Sequence, residues 1–273
     1  MIIDWHTHSH YSDGSDTLEM LFWKAKQAGI THLGVVDHDT VAHHNEGHLL
    51  ARQYDMTFIP GVEISAFDFK RRRKVHLLGY GFKGSCPAIE ALCQPLLARR
   101  HAHSIWQTRC IKDAGFQINT EDALAYAHTS GTLYKQHIMN ALLEESYDNK
   151  NYQTLYQSLF KGSGVAAGDI AYIDVFQALK AIHADGGFAV LAHPGQLDSY
   201  EVAEELIAQG LDGIELVHPD HTETDKNRVK QLAAKYNLLL TGGSDYHGTY
   251  GAAVKLGSYI MDDLQRSLTV KYL

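Results

Sequence analysis

Six histidines fall where short apolar runs of the chain end, and carboxylates stand beside them. His6 and His8 lie in Asp4-Trp5-His6-Thr7-His8, His38 in Val36-Asp37-His38-Asp39, and His76 in Lys74-Val75-His76-Leu77. His193 follows in Leu191-Ala192-His193-Pro194, and His247 closes Ser244-Asp245-Tyr246-His247. Asp13, Glu63 and Asp245 are the accompanying carboxylates. Neutral imidazole is the commonest metal ligand in proteins, and this set is larger than one ion needs. The pattern points to a multinuclear metal site built for hydrolysis. Adjacent divalent ions can clamp a phosphoryl oxygen, activate a water and stabilise the leaving oxygen. Mixed imidazole and carboxylate donors suit Mn²⁺, Zn²⁺ or Fe²⁺.

Such residues need a scaffold that makes them converge. Side chains two apart on a strand share a face, so His6 and His8 point the same way. Apolar runs at Ile2–Trp5, His32–Val36, Phe58–Val62, Val75–Tyr80, Phe188–Leu191, Gly213–Val217 and Leu238–Thr241 read as strands. Amphipathic segments at Leu18–Gln27, Asn45–Tyr54, Val175–Ala184, Val202–Gln209 and Lys226–Tyr236 read as helices between them. Alternation of this kind favours parallel strands joined by crossovers, an α/β barrel or a closed variant of one. In a barrel, residues at successive strand ends meet at the C-terminal mouth. A single histidine at a strand end is more often structural; recurrence at successive ends is what argues for a shared site.

The middle of the chain reads differently. Residues 84–169 carry little strand pattern, and Ala91–Ala114, Glu121–Tyr126, His137–Glu145 and Asn151–Phe160 look helical. Gly162-Ser163-Gly164 resembles a linker leading back. The division expected is a barrel of residues 1–83 and 170–273 with a helical insertion, 84–169, capping the site. Ordinary crossover helices of one continuous domain are the alternative.

The 273 residues include 45% hydrophobic ones, enough for a substantial core, and carry a formal charge of −8. That charge argues against general attraction to membranes or duplex nucleic acid. Three cysteines without a CxxC pair, no signal-like start and no run near the roughly 18 apolar residues of a span fit a reduced, cytoplasmic protein. No Walker loop or Rossmann fingerprint occurs among the 23 glycines. Oligomeric state is left open.

His6-Thr7-His8, Asp37-His38-Asp39, His193-Pro194-Gly195 and Ser244-Asp245-Tyr246-His247, with Glu63 and His76 between them, resemble the PHP (polymerase and histidinol phosphatase) superfamily. The resemblance implies a distorted (β/α)7 barrel with up to three metal ions at its mouth. It assigns one metal to His6, His8, Glu63 and Asp245. A second would share Glu63 with His76 and His193, and a third would use Asp13, His38 and His247. Two to three divalent ions, Mn²⁺ favoured, are the expected cofactors, and a metal-bound hydroxide the expected nucleophile. Several relatives have histidine at the position of Asp13, so the third site can differ in affinity or metal preference.

Tyr11-Ser12-Asp13-Gly14-Ser15, Gly61-Val62-Glu63-Ile64-Ser65 and Val75-His76-Leu77-Leu78-Gly79-Tyr80 look like the TrpH-like subgroup, small phosphoesterases with a helical insertion. The subgroup often carries Arg-x-His early in the insertion, facing the substrate phosphate; here the residues are Lys135-Gln136-His137. Lysine keeps the charge but loses the bidentate fork. The resemblance implies a phosphomonoesterase acting on a small nucleotide such as a 3′,5′-bisphosphate. A 5′→3′ exonuclease on short oligonucleotides, a histidinol phosphatase and a non-catalytic nucleotide-binding module are the alternatives.

Further candidates have bland competitors. Asp37 flanks a proposed ligand and, with His218, is a catalytic candidate, since carboxylates commonly orient metal-bound histidines. Asp39 could do the same or cap the next helix. His218 could contact phosphate or protonate the leaving group; the competing reading is a surface histidine beside Pro219. Glu215 is a weaker substrate candidate. Arg100, Lys135 and His137 are candidate phosphate contacts, with ordinary helix-surface charge as the default for Arg99 and Arg100. Arg71-Arg72-Arg73-Lys74 reads as a solvated turn before it reads as a phosphate guide. His43, His44, His48, His101, His103 and His221 lack convergent spacing and read as surface or structural.

Overall fold

The computed structural model describes residues 1–261, so residues 262–273 of the expected barrel segment lie outside the described residues. The elements run β1 Ile3–Asp4, α1 Leu18–Gln27, β2 His32–Val35, α2 His44–Tyr54, β3 Thr57–Asp68 and β4 Arg73–Tyr80. Then come α3 Pro87–Asp113, α4 Thr120–Tyr126, α5 Lys135–Leu142, α6 Lys150–Phe160, β5 Ile173–Asp174 and α7 Val175–Ala184. The chain continues with β6 Phe188–Leu191, α8 Pro194–Leu197, α9 Ala203–Ala208, β7 Gly213–Val217, α10 Glu223–Tyr236 and β8 Leu239–Gly242. Seven strands in the order β1-β2-β3-β4-β6-β7-β8 form a nearly closed, distorted (β/α)7 barrel, and β5 pairs with β3 outside that path.

The barrel departs from the expected all-parallel order at one strand. β4 runs antiparallel to both β3 and β6. The apolar run suggested that the third strand stops at Val62, but β3 continues to Asp68. Only residues 69–72 then separate it from β4, too few for a crossover, so the two strands make a hairpin. Asp68 accepts from the Lys70 and Arg71 backbone N–H groups, and Arg72 takes a left-handed φ of 55°, closing the turn. The basic run therefore spans the turn and the start of β4, and it is paired: Arg71 with Asp68 and Glu205, Arg73 with Asp198, Lys74 with Asp169.

Closure joins the two ends of the chain. The Trp5 N–H donates to Gly242 O at 3.2 Å and the His8 N–H to Tyr246 O at 2.8 Å. Asp4 is fully buried between them and accepts from the backbone N–H groups of His6, Ser244 and Gly257. Burial pushes its pKa up, and these three donors supply the compensation that a buried carboxylate requires. The core beneath this seam is apolar, with Trp5 edge-on to Tyr80 at 5.3 Å and the Tyr80 hydroxyl donating to Trp5 O.

Residues 114–160 build a core of their own, including Ile118, Ala123, Leu133, Ile138, Met139, Tyr152 and Phe160. The helix leading into it belongs to both parts. Ile89, Cys93 and Leu96 of α3 pack in the barrel core, whereas Ile111 packs with the second core. No helix of the described residues is long and apolar enough to cross a membrane.

Gly243 sits at the closing seam, where an added Cβ would overlap the backbone nitrogen and Cβ of His6. Gly243→Ala is expected to lower stability by about 1–3 kcal/mol, the usual cost of overpacking. Urea unfolding should report it as a lower midpoint at unchanged slope; an unchanged midpoint would mean that the seam yields freely.

Candidate metal centre

The nine sequence-predicted ligands converge on the barrel mouth in three overlapping groups. His6, His8, Glu63 and Asp245 form one, His8, Asp13, His38 and His247 another, and His38, Glu63 and His76 a third; in each, the donor atoms lie within 4.8 Å of one another. His193 joins through its Nε2, 2.8 Å from Glu63 Oε1. The loops after β1, β2, β6 and β8 deliver seven of the nine. Glu63 and His76 differ from expectation, since they sit within β3 and β4 and not at strand ends. The long hairpin explains this. His76 pairs in register with Ser65, so Glu63, two residues away on the same face, is its diagonal neighbour.

Glu63 is the shared member. Its Oε2 lies 3.1 Å from the Nε2 atoms of both His6 and His8. Its Oε1 lies 2.7 Å from His76 Nδ1 and 2.8 Å from His193 Nε2. Asp245 Oδ1 closes the first group at 3.3 Å from both His6 and His8. Burial alone would raise the Glu63 carboxyl, yet His38, His6 and His76 hold it well below its ordinary range. Burial alone would lower the His8 imidazole, but Asp245 and Glu63 lift it to about 10. At His38 burial wins and the pKa falls to about 4.

Several cage atoms are buried without a well-directed hydrogen bond: His8 Nε2, which faces the carboxylates of Glu63 and Asp245, Asp13 Oδ1 and His38 Nδ1. An unpaired buried polar group costs about 1–3 kcal/mol. Convergent imidazole and carboxylate donors left unpaired in this way fit divalent cations as their common partners. Backbone geometry supports the same use. Asp39, His193 and Asp245 hold left-handed φ values of 61°, 22° and 50°, a kind of strain that clusters at functional sites.

The surrounding residues sort into roles that the sequence left open. Glu215 is fully buried; its Oε1 meets His6 Nδ1 at 3.0 Å and its Oε2 accepts the His193 N–H at 2.8 Å. It faces ligands and not the cavity. Asp37 does likewise. Its oxygens accept from Ser9 N–H, Ser9 Oγ and Ser12 Oγ, and His43 stands behind it. Asp37 thus holds the loop that carries His8 and Asp13, and it lines neither cavity at the mouth. His218 lines the cavity, but its Nδ1 accepts the Asp220 N–H and its Nε2 meets Asp245 Oδ2 at 3.2 Å. Both nitrogens of His218 are engaged in this arrangement, which places it at the cavity wall beside Asp245.

His137 also changes place. It is 1% exposed, accepts from the Tyr134 N–H and lines neither of the two cavities at the mouth. Burial pulls its pKa to about 4. The structure thus turns His137 away from both cavities, whereas Lys135 lines one of them and the unassigned Gln136 lines both. Arg100 lines that cavity too, held by Asp39 Oδ2 and Ser65 Oγ at 2.9 Å each, over the Tyr134 ring. Asp39 accepts from the Ser65 N–H as well, so it braces β3. Arg99 is spent on Ala171 O. His43, His44 and His221 bond backbone carbonyls, as structural histidines do, but His103 lines the Lys135 cavity.

Glu215→Gln tests the orienting role, since one amide oxygen cannot accept both the His6 and the His193 N–H. Calorimetric titration should show affinity for divalent ions about 10–100-fold weaker, the usual cost of losing such a support. Affinity equal to wild type would contradict that role.

Residues 4–212 match the PHP domain family. The chain is 47% identical over 257 residues to a phosphoribosyl 1,2-cyclic phosphate 1,2-diphosphodiesterase of Eggerthella lenta, covering 94% of this chain and 98% of that protein. It is 26% identical over 250 residues to a 3′,5′-nucleoside bisphosphate phosphatase of Chromobacterium violaceum, covering 90% and 87%. A solved structure from Bifidobacterium adolescentis, assigned as a metal-dependent phosphoesterase, superposes with a TM-score of 0.88 at 26% identity, over 99% of this chain and 96% of that one. With this match and the donor cage at the barrel mouth, the chain belongs to the PHP domain family and is a metal-dependent phosphoesterase, a hydrolase of phosphoric ester bonds.

Proposed function

We propose that this protein hydrolyses a phosphoester on a ribose that carries a second phosphate, with phosphoribosyl 1,2-cyclic phosphate as the first candidate. One observation carries the reading: a cationic cavity opens beside the donor cage. The cavity over the cage has a volume of ≈ 300 Å³ and the second ≈ 410 Å³, and they share Asp13, His38, His76, Gln136 and Gln196. Lys74, Arg100, His103, Lys135 and Lys161 line the second one. Lys74 is paired with Asp169 and Arg100 with Asp39, whereas Lys135 and Lys161 have no carboxylate in salt-bridge range among the described residues. Excess positive charge in a concave site favours a phosphate, although the chain as a whole is acidic. The 47% identical relative, named for a phosphoribosyl cyclic phosphate, supports the same choice.

Bound divalent ions, Mn²⁺ by preference and two or three in number, supply water activation and charge neutralisation at the reacting phosphorus. The chain's own residues do the rest. The nine cage residues hold the ions, and Glu215, Asp37 and His218 fix the orientation of those ligands. Lys135, Arg100 and Lys161 bind the remote phosphate and thereby orient the ester over the cage. Residues 84–169 act as the cap that brings most of these cations to a common barrel mouth. A nucleoside 3′,5′-bisphosphate is the second reading, favoured by Tyr147 and Tyr250, which line the cavity over the cage and could stack on a base.

With Mn²⁺, phosphorus NMR should show the cyclic diester opening with a kcat/KM at least about tenfold above that for adenosine 3′,5′-bisphosphate or a 5′-phosphorylated oligonucleotide. A cyclic ester left intact beside a hydrolysed bisphosphate would reverse the choice. Burial lowers the Lys135 pKa to about 8, so its charge is present below pH 8 and lost above it. KM for a doubly phosphorylated substrate should rise through that range while kcat changes less, and Lys135→Ala should remove this limb. A KM profile unchanged by Lys135→Ala would exclude the lysine from the phosphate subsite.

A further inference from the structure

Asp13 differs from the other carboxylates of the cage in what holds it. Glu63 and Asp245 are surrounded by barrel residues, whereas Asp13 Oδ2 accepts from Gln136 Nε2 of the cap at 2.8 Å. Asp13 Oδ1 is buried, has no hydrogen-bond partner and lies 3.5 Å from His247 Nε2. One oxygen is thus spent on the cap, and the other is aimed into the group made with His8, His38 and His247. The same turn of the cap reaches the other two loops of that group. The Tyr134 hydroxyl donates to His38 O at 3.2 Å. The His137 ring packs on Tyr250, three residues beyond His247, at 5.8 Å between centroids. Residues 134–137 therefore touch each loop that delivers Asp13, His38 and His247.

We propose that Gln136 is a positioning residue for the Asp13–His38–His247 group, and that through it the cap sets how tightly this group holds its cation. Carboxylates bind divalent ions through one oxygen or two. An amide N–H on Oδ2 fixes the rotation of the Asp13 carboxylate and leaves Oδ1 as the single donor. Without it the carboxylate can turn, and the group loses a preorganised ligand. Gln136 also lines both cavities at the mouth, so a substrate that shifts the cap turn would alter the same contact. This inference rests on the reading that the cage holds up to three ions, and the test separates the two.

The variant is Gln136→Met, which keeps the length of the side chain and removes the amide. Wild type and variant are equilibrated with buffered Mn²⁺, and bound metal per chain is measured across concentrations. The expected result is that one of the three ions is held about 10–100-fold less tightly while the other two bind as in wild type. In an Asp13→Ala background, Gln136→Met should add no further loss of metal, because the glutamine acts through Asp13. An added loss there would mean that the substitution damages the cap in general and would overturn the proposal, as would unchanged affinity for all three ions. A metal-free melting temperature equal to wild type checks that the variant folds; if it does not, Gln136→Leu replaces it under the same criteria. A wild-type chain that binds only two Mn²⁺ at saturation would remove the three-ion reading and this proposal together, leaving the Glu63-centred pair intact.

Discussion

A carboxylate that is 1% exposed has to find its compensation inside the protein, and Glu63 finds it in five imidazoles. His6, His8, His38, His76 and His193 all approach within 3.6 Å of its oxygens. An uncompensated buried charge costs several kcal/mol, so the rest of the mouth is arranged around it. The two oxygens face different partners, Oε2 toward His6, His8 and His38 and Oε1 toward His76 and His193. That division makes Glu63 the member that ties two groups of donors into one centre.

Holding five histidines on one carboxylate requires that distant parts of the chain stay in register. His6 and His8 come from just after the first strand and Asp245 and His247 from beyond the last, so the seam between β1 and β8 is part of the site. Asp4 fastens it from beneath by binding both chain ends. Farther out, Glu215 and Asp37 are spent wholly on orientation, Glu215 on His6 and His193, Asp37 on the loop with His8 and Asp13. Above the mouth, α3 is anchored in the barrel core at Ile89 and Leu96 and carries Arg100 to Asp39. The cap is therefore fixed to the same loops that bear the ligands.

The residues that converge at the mouth were legible in the sequence because ligand chemistry restricts residue type, and because short spacings such as His6-Thr7-His8 survive any detail of the fold. The barrel was legible from the alternation of apolar runs and amphipathic segments. The antiparallel β4 was not, since the β3 extension through Glu63–Asp68 mixes polar and apolar residues and hides the short turn. Roles that depend on side-chain direction were also out of reach. Lys135, Gln136 and His137 are consecutive, but each step along a helix turns about 100°. One therefore faces the cationic cavity, the next reaches Asp13, and the third turns into the cap. His218 and Asp37 stand out in the sequence, yet most of their hydrogen-bond partners, Ser9, Ser12 and Asp245, come from other loops and are not visible from local spacing.

The central claim is that Glu63 would be shared between two cation positions, one held with His6, His8 and Asp245 and one with His76 and His193. Anomalous diffraction from crystals grown with Mn²⁺ tests it most directly. Two peaks should flank the Glu63 carboxylate, one among His6, His8 and Asp245 and one beside His76 and His193. A single peak, or cations bound with Glu63 outside their coordination shell, would contradict it.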